Sequence, residues 1–381
     1  MNLAFRDIRR NRLRFALTVL GVGMLLGVVI AMTGIYEGAL TDALALPRGE
    51  HAALWVVQPR TFGPFAEPSR IPRDTRDLIR RMPGVAAAGA VTFQTVQSTT
   101  AAGRPVRLYL EGYEPGRPGG PPPLVAGHGL TESHYQVVVD ASSHLKLGTR
   151  VLLGPYRDPY TVVGLTHGMV SSAGEPLAWV NLLDAQALQF DVPPALERRE
   201  RAAGRTPPTT TDVNAVLVRL EPGVSALSVA HDISRWKHLA AVPEAREETY
   251  LTLFVIQKMQ KQLGMFMTIL TAVSAVIIAL IIYTLTMDKV RSIATLKFIG
   301  APDRTIVGLI VQQALTIGIM GYGIGLALIV LGKAYFPRRV QLEPFDLAVV
   351  LLIVIVVCLA GSVLSIRAAL KVDPAEALAS G

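Results

Sequence analysis

The residues with chemistry to offer in this chain are few and scattered. All seven histidines fall between residues 37 and 261. His128, His134 and His144 are the most closely spaced, but their spacing matches no common metal-ligand pattern, so they read as surface or packed histidines. Acidic residues show no recognisable acid–base pair. Gly332-Lys333 is the nearest echo of the phosphate-cradling G-x-x-x-x-G-K-[ST] loop, yet Ala327 and Ala334 stand at its defining positions. No nucleophile elbow and no H-E-x-x-H helix is written anywhere. The conspicuous cluster is charged rather than catalytic. "DKVRSIATLKFIGAPDRT", residues 288–305, carries Asp288, Lys289, Arg291, Lys297, Asp303 and Arg304 between two strongly apolar stretches. The chemistry this cluster offers is recognition of a partner. Val290, Ile293, Leu296 and Ile299 drift around a helix, which suits a two-sided fit into a groove or contact with a membrane surface.

The elements around that loop identify its setting. The 381 residues are 51% hydrophobic and 17% charged, with mean hydropathy +0.41. That is too apolar for an ordinary soluble chain. Four windows are nearly charge-free: Phe15–Tyr36, Met265–Thr286, Ile306–Leu331 and Leu347–Ile366. Each reaches the roughly 20 residues that cross about 30 Å of hydrocarbon as a helix. No charge lies deep within them, which argues against a proton- or ion-driven carrier. The net charge of +8 is unevenly distributed. It is +4 over residues 1–14 and +2 over 287–305, but only +1 over 37–261. That is a positive-inside pattern, not a nucleic-acid surface. It predicts a cytoplasmic N-terminus, a cytoplasmic 287–305 loop and a cytoplasmic tail, with 37–261 outside. Arg338 and Arg339 run against it. The first apolar run is longer than a signal-peptide core of about 7–15 residues and reads as a retained anchor. The lone cysteine, Cys358, lies in the last span, so the outer segment folds without disulfides.

The predicted organisation follows. Residues 1–14 form a cytoplasmic amphipathic helix, with Arg9, Arg10, Arg12 and Arg14 at the membrane interface. Spans occupy 15–36, 262–286, 306–331 and 347–366, separated by an outer segment 37–261, the loop 287–305, a short outer loop 332–346 and a tail 367–381. The fold class is an α-helical membrane protein of four spans, with a large mixed α/β domain inserted between the first and second. Within that domain, 74–85 reads as a helix with Asp74 as cap and Pro83-Gly84 as stop. "AGAVTFQTV" and "RPVRLYLEGY" read as strands, "EPGRPGGPPP" as a long loop, and the strands over 135–168 as a small barrel or sandwich. The proline-flanked stretch 193–208 reads as a mobile loop, and 225–238 as a helix. Residues 247–264 read as a helical stalk that runs on into the second span.

Three stretches resemble one family. "VRSIATLKFIGAPDRTI" is similar to the coupling segment of MacB/FtsX/LolC-type ABC transporter permeases, "SIRAALKVDPAEALASG" to their ending, and "RNRLRFALTVLGVGMLLGV" to their opening. "LWVVQPRTFGPFAEPSRIP" resembles the DevC branch. Ser292 stands where the family has an acidic residue, Phe298 where it has a small one, and Ala379 in place of a final Arg. The resemblance implies a type VII permease: not an enzyme, without cofactor or metal, and driven by a separate cytoplasmic ATPase. It implies a dimer (homodimer or paired permease) in the bacterial inner membrane, with a periplasmic membrane-fusion adaptor, an outer-membrane channel and membrane lipids as further partners. The activity it implies is mechanotransmission: ATP-driven export of lipids, glycolipids or amphipathic compounds without conduction through the spans. Lipoprotein release and FtsX-like control of a cell-wall hydrolase are the alternatives, and an envelope enzyme is the remote one. ATPase coupling then falls to Lys289, Arg291, Ile293, Leu296, Lys297, Gly300 and Ala301, and the tail contact to Arg367, Asp373, Pro374 and Glu376.

Overall fold

The structure, a computed structural model, describes residues 12–65, 67–155, 157–190, 199, 201–204, 211–299, 302–336 and 339–370. Most of the expected N-terminal surface helix, most of the 193–208 loop and the tail from 371 lie outside the described residues. In chain order, α1 covers Arg12–Gly49, followed by β1 (Leu54–Val57), β2 (Ile71–Pro72), α2 (Thr75–Arg80), β3 (Val85–Thr100) and β4 (Pro105–Tyr113). Next come β5 (Ala126–Gly127), β6 (Gln136–Asp140), β7 (Arg150–Leu153), β8 (Asp158–Thr166), β9 (Leu177–Asn181) and α3 (Leu182–Phe190). Then follow β10 (Asp212–Val213), β11 (Ala215–Leu220), α4 (Ala226–Lys237), β12 (Ala240–Pro243) and α5 (Glu244–Tyr250). A π-helical turn over Leu251–Ile256 leads into α6 (Gln257–Met287), and α7 (Val290–Phe298), α8 (Asp303–Gly332) and α9 (Pro344–Leu370) complete the chain. Among the described residues four helices are long and apolar enough to cross a membrane: α1, α6, α8 and α9. The chain divides into two compact units, Met1–Gly38 with Gln260–Gly381, and Ala39–Met259.

The main sheet of the outer unit consists of two parts that share one strand, beside a small antiparallel pair of β2 and β10. β12, β1, β11 and the first half of β3 lie side by side, each neighbour antiparallel. With α2 after β1 and α4 after β11, this is a split β-α-β unit with strand order 4-1-3-2. Alternation assigns its faces. Leu54, Val56, Val216 and Val218 meet the helices, alongside Ile79 and Ile233. Trp55, Val57, Ala215 and Leu217 face the other way. The hairpin expected between its second and third strands is expanded into a barrel. β3 runs on to pair β4, and the circuit β4–β9–β6–β8–β7–β3 closes. Leu108, Leu110, Val137, Val139, Val151 and Val180 fill its interior. Val138, Leu177 and Trp179 point outward from the barrel wall and join the second face of the sheet in a central layer. Asp74 occupies the N-cap position of α2 but makes no side-chain cap; only its backbone carbonyl accepts, from Asp77 and Leu78.

The membrane unit depends on glycine. Lipid gives helices no hydrophobic reason to associate, so close backbone approach must do it. Gly23 and Gly27 of α1 face Gly321 and Gly325 of α8: a Cβ on Gly325 would fall 2.7 Å from the Gly23 carbonyl oxygen and 2.8 Å from the Gly27 nitrogen. Gly323, two residues earlier on the same helix, meets nothing within 4 Å. Gly325→Leu should therefore wedge α1 from α8 and lower the melting temperature of the full chain in detergent. Overpacking typically costs about 1–3 kcal/mol, and Gly323→Leu should leave the melt unchanged. Equal melting of the two variants would count against this packing.

Candidate coupling site

The charged loop folds into α7 because α6 runs out of apolar residues at Met287. Asp288 and Lys289 still donate their backbone N–H groups to Thr284 and Thr286, and the Lys289 backbone then leaves helical geometry at φ −103°. The helix restarts with Ile293 donating to the Lys289 carbonyl, 2.9 Å. Two contacts fix its position. Lys289 Nζ donates to Gln313 Oε1 of α8 at 2.8 Å, and Ile293 packs half-buried against Ile306 and Ile310, with Ile366 of α9 alongside. Ala294 is buried beside it. Pro302 and Asp303 then open α8 as a helix start should, with an acidic group in its first turn.

The expected coupling residues are placed as follows. Lys289 and Ile293 face the bundle, Lys297 is half-buried, and Arg367 is exposed in the last turn of α9, next to Ile366. Arg291 and Leu296 lie on α7, and Arg12 and Arg14 in the first turn of α1. Gly300, Ala301, Asp373, Pro374, Glu376, Arg9 and Arg10 lie outside the described residues. Sequence reasoning did not single out Ile299. Six residues at about 100° each set it about 120° round the helix from Ile293. With Ile293 turned inward, Ile299 is 78% exposed at the end of α7, and Asp303 and Arg304 at the start of α8 are exposed as well. The drifting apolar pattern was the signal, and the drift divides anchor from knob.

The outer unit holds a second unusual feature, buried carboxyl groups. Glu111 of β4 is wholly buried and accepts from Trp179 Nε1 at 2.9 Å and from the Gly120 backbone N–H at 3.2 Å. Buried Glu50, the residue after α1, is its carboxyl neighbour, near enough for the two groups to bond once one of them carries a proton. Burial pushes both carboxyls above the usual carboxylate range. Glu247 of α5 is equally buried, and neither of its oxygens has a hydrogen-bond partner; burial pushes it up to about 8. It rests on Gly63, whose φ of +82° and missing Cβ make room for it. Phe62 of the same loop stacks edge-on against Tyr250, one turn from Glu247. The histidines do other work. His134 Nδ1 lies 2.5 Å from Asp184 Oδ1, and Asp184 also accepts the Tyr135 backbone N–H. His128 contacts the Gly129 carbonyl, and His144 takes the left-handed conformation that ends a short helical turn. Among the described residues no three His, Cys, Asp or Glu side chains converge to hold a metal.

Comparison with known proteins places this architecture. The model of the MacB-like periplasmic core domain family matches residues 15–236, and that of the FtsX-like permease C-terminal domain matches residues 264–374. An uncharacterized ABC transporter permease of Mycobacterium tuberculosis (strain ATCC 25618 / H37Rv) is 22% identical over 381 residues, covering 98% of both chains. Another, from Mycobacterium bovis (strain ATCC BAA-935 / AF2122/97), is 21% identical over 377 residues with the same coverage. Among solved structures, the periplasmic region of MacB from Actinobacillus actinomycetemcomitans aligns with 54% of this chain and 95% of its own, at 11% identity and a TM-score of 0.36.

Proposed function

The chain belongs to the ABC transporter permeases built from a MacB-like periplasmic core domain and an FtsX-like permease domain, and on that premise we propose that it transmits ATP-driven movement from α7 to the outer domain for export. Such permeases are not enzymes; they sit in the inner membrane with the large domain in the periplasm and work with a cytoplasmic ATPase. The observation that carries the proposal is the backbone path. Helical turns run unbroken from Glu244 in the outer unit to Met287, and α7 begins three residues later. Helices transmit displacement because their hydrogen bonds are internal. The ATPase docks on α7, and its differential affinity for two permease conformations sets how far the equilibrium can shift.

Two features support movement without conduction. Hydroxyls inside the bundle such as those of Thr33, Thr286, Ser362 and Ser365 are spent on their own helices, donating to Val29, Ile282, Cys358 and Gly361. The cavity lined by Leu26, Ser274 and Val354 holds only about 20 Å³, less than a solute needs. The exporter works as a dimer. Phe266, Ile269, Val273, Val276, Leu280 and Tyr283 leave α6 exposed at alternating intervals of three and four residues, the seam that a second helix fits. The cargo is lipid, glycolipid or another amphipathic compound, handed to a periplasmic adaptor and an outer-membrane channel.

The test is purification from native membranes in mild detergent, with identification of what accompanies the protein. A P-loop ATPase with a periplasmic adaptor supports export, and a variant lacking 289–299 should lose the ATPase while still reaching the membrane. An ATPase with a hydrolase or lipoprotein carrier instead of an adaptor would replace export by the alternative branch. Normal ATPase recovery with the deletion variant would remove α7 from the mechanism.

A further inference from the structure

We propose that the end of α1 is latched into the outer domain by a single shared proton between Glu50 and Glu111, so that proton loss to the periplasm loosens this helix from the domain. Glu50 follows the last residue of α1, and its backbone N–H still bonds to Leu46 at 3.2 Å, so its side chain moves with the helix end. Glu111 belongs to β4, a strand of the barrel. The two carboxyls are electrostatic neighbours beside Trp179 and the Gly120 N–H, and both are at most 2% exposed. A carboxylate accepts but cannot donate, so two ionised carboxylates cannot bond to each other. One proton makes the pair a donor and an acceptor. Glu111 is already the acceptor for Trp179 Nε1 and the Gly120 N–H, which assigns the proton to Glu50.

The surroundings favour holding the proton. From β4, Tyr109 and Tyr113 face Glu111 as neutral phenols, held so by burial and by the Glu111 carboxyl. Glu175 adds negative charge near Tyr109, its own partner being Arg107. From β11, exposed Arg219 is the cation that opposes proton retention on Glu50. Beside Gly49 lies Met169, whose N–H is given to Asp140, so that carboxylate is engaged elsewhere. His51 follows Glu50 in the chain. When the proton leaves for water, two buried like charges remain in contact, and the nearest relief is hydration, which requires the layer to open at the α1 end. A buried carboxyl held neutral favours the folded state below its raised pKa; that stabilisation fades as pH rises from the ordinary carboxylate range through the raised value.

The latch matters for transport only if α1 takes part in the proposed coupling, so the test reads the resting protein, with no ATPase present. Full-length chain in nanodiscs carries Glu247→Gln, which removes a further buried carboxyl whose pKa burial raises. Two measurements are made from pH 5 to 9: infrared difference spectra in the protonated-carboxyl region, and Trp emission compared with a Trp179→Phe control. The background protein should lose one carboxyl band as pH rises, together with a shift of Trp179 emission. Adding Glu50→Gln, whose amide keeps the donor to Glu111, should remove both changes and retain the low-pH emission. Adding Glu111→Gln should also remove the band, with a perturbed Trp179 at every pH. If Glu50→Gln leaves the band and its midpoint in place, the latch is wrong. If the background protein shows no protonated-carboxyl band at pH 6, it is wrong without any need for the variants to fold. Failed transport with these signatures intact would instead count against the coupling role of α1.

Discussion

Ile299→Asp should cut the affinity of the partner ATPase at least about 30-fold while the permease still reaches the membrane folded. Ile299 is an apolar knob, 78% exposed, at the end of the short helix between two spans. Seated in a pocket, such a residue behaves as an interface anchor, and anchors typically cost about 2–4 kcal/mol when lost. A carboxylate adds the desolvation of an unpaired charge. Ile293→Ala should act differently. Its side chain supports α7 on Ile306 and Ile310. Its loss should lower thermal stability by about 1–3 kcal/mol, with docking reduced only as far as α7 loosens. Binding of purified ATPase to each variant in nanodiscs separates the two roles. Unchanged affinity with Ile299→Asp would mean that the ATPase reads another surface.

Glu247→Gln should stabilise the protein at neutral and alkaline pH. Glu247 is wholly buried and unpartnered, and burial lifts it to about 8. An unfolded glutamate has already lost its proton near pH 4.3. Between those values the unfolded state binds fewer protons than the folded one, so stability falls as pH rises, and it levels off above about 8. The accumulated loss at pH 7 is about 3–4 kcal/mol, at ~1.4 kcal/mol for each pH unit. A glutamine keeps the shape without a titrating proton. The variant should therefore melt several degrees higher at pH 8, and match the wild type near pH 4.5. Parallel melting curves against pH would show that Glu247 is ionised or hydrated in the folded chain. The group stands one turn before the π-helical stretch Leu251–Ile256, where an extra residue is held in the helix that leads into α6. The Phe62–Gly63 loop lies against it, with Phe62 edge-on to Tyr250.

Membrane spans were legible because bilayer thickness demands a length and a composition that soluble segments seldom meet. Strands such as 88–96 and 104–113 announced themselves by β-branched and aromatic content, and the helix over 225–238 was legible too. The closure of the barrel was not legible. It depends on β3 pairing β7 across about fifty residues, and no local pattern encodes such a partner choice. Asp74 illustrates the limit at short range, since its residue type was right for a cap. A helical backbone at that position, φ −63° and ψ −19°, turned its side chain away from the role.

The sequence by itself determined the class of protein, four spans, an inserted outer domain and a charged loop without catalytic equipment, because hydropathy, charge and motif spacing are properties of the chain read in order. Only the tertiary structure decided which side chains of that loop pack on the bundle and which stay exposed. It alone brought Glu50, Glu111 and Glu247 out of water, because burial and pairing are set by neighbours that lie tens of residues away. In the sequence each is one glutamate among the acidic residues of a nearly neutral domain; in the fold each is a buried carboxyl whose charge is set by its neighbours.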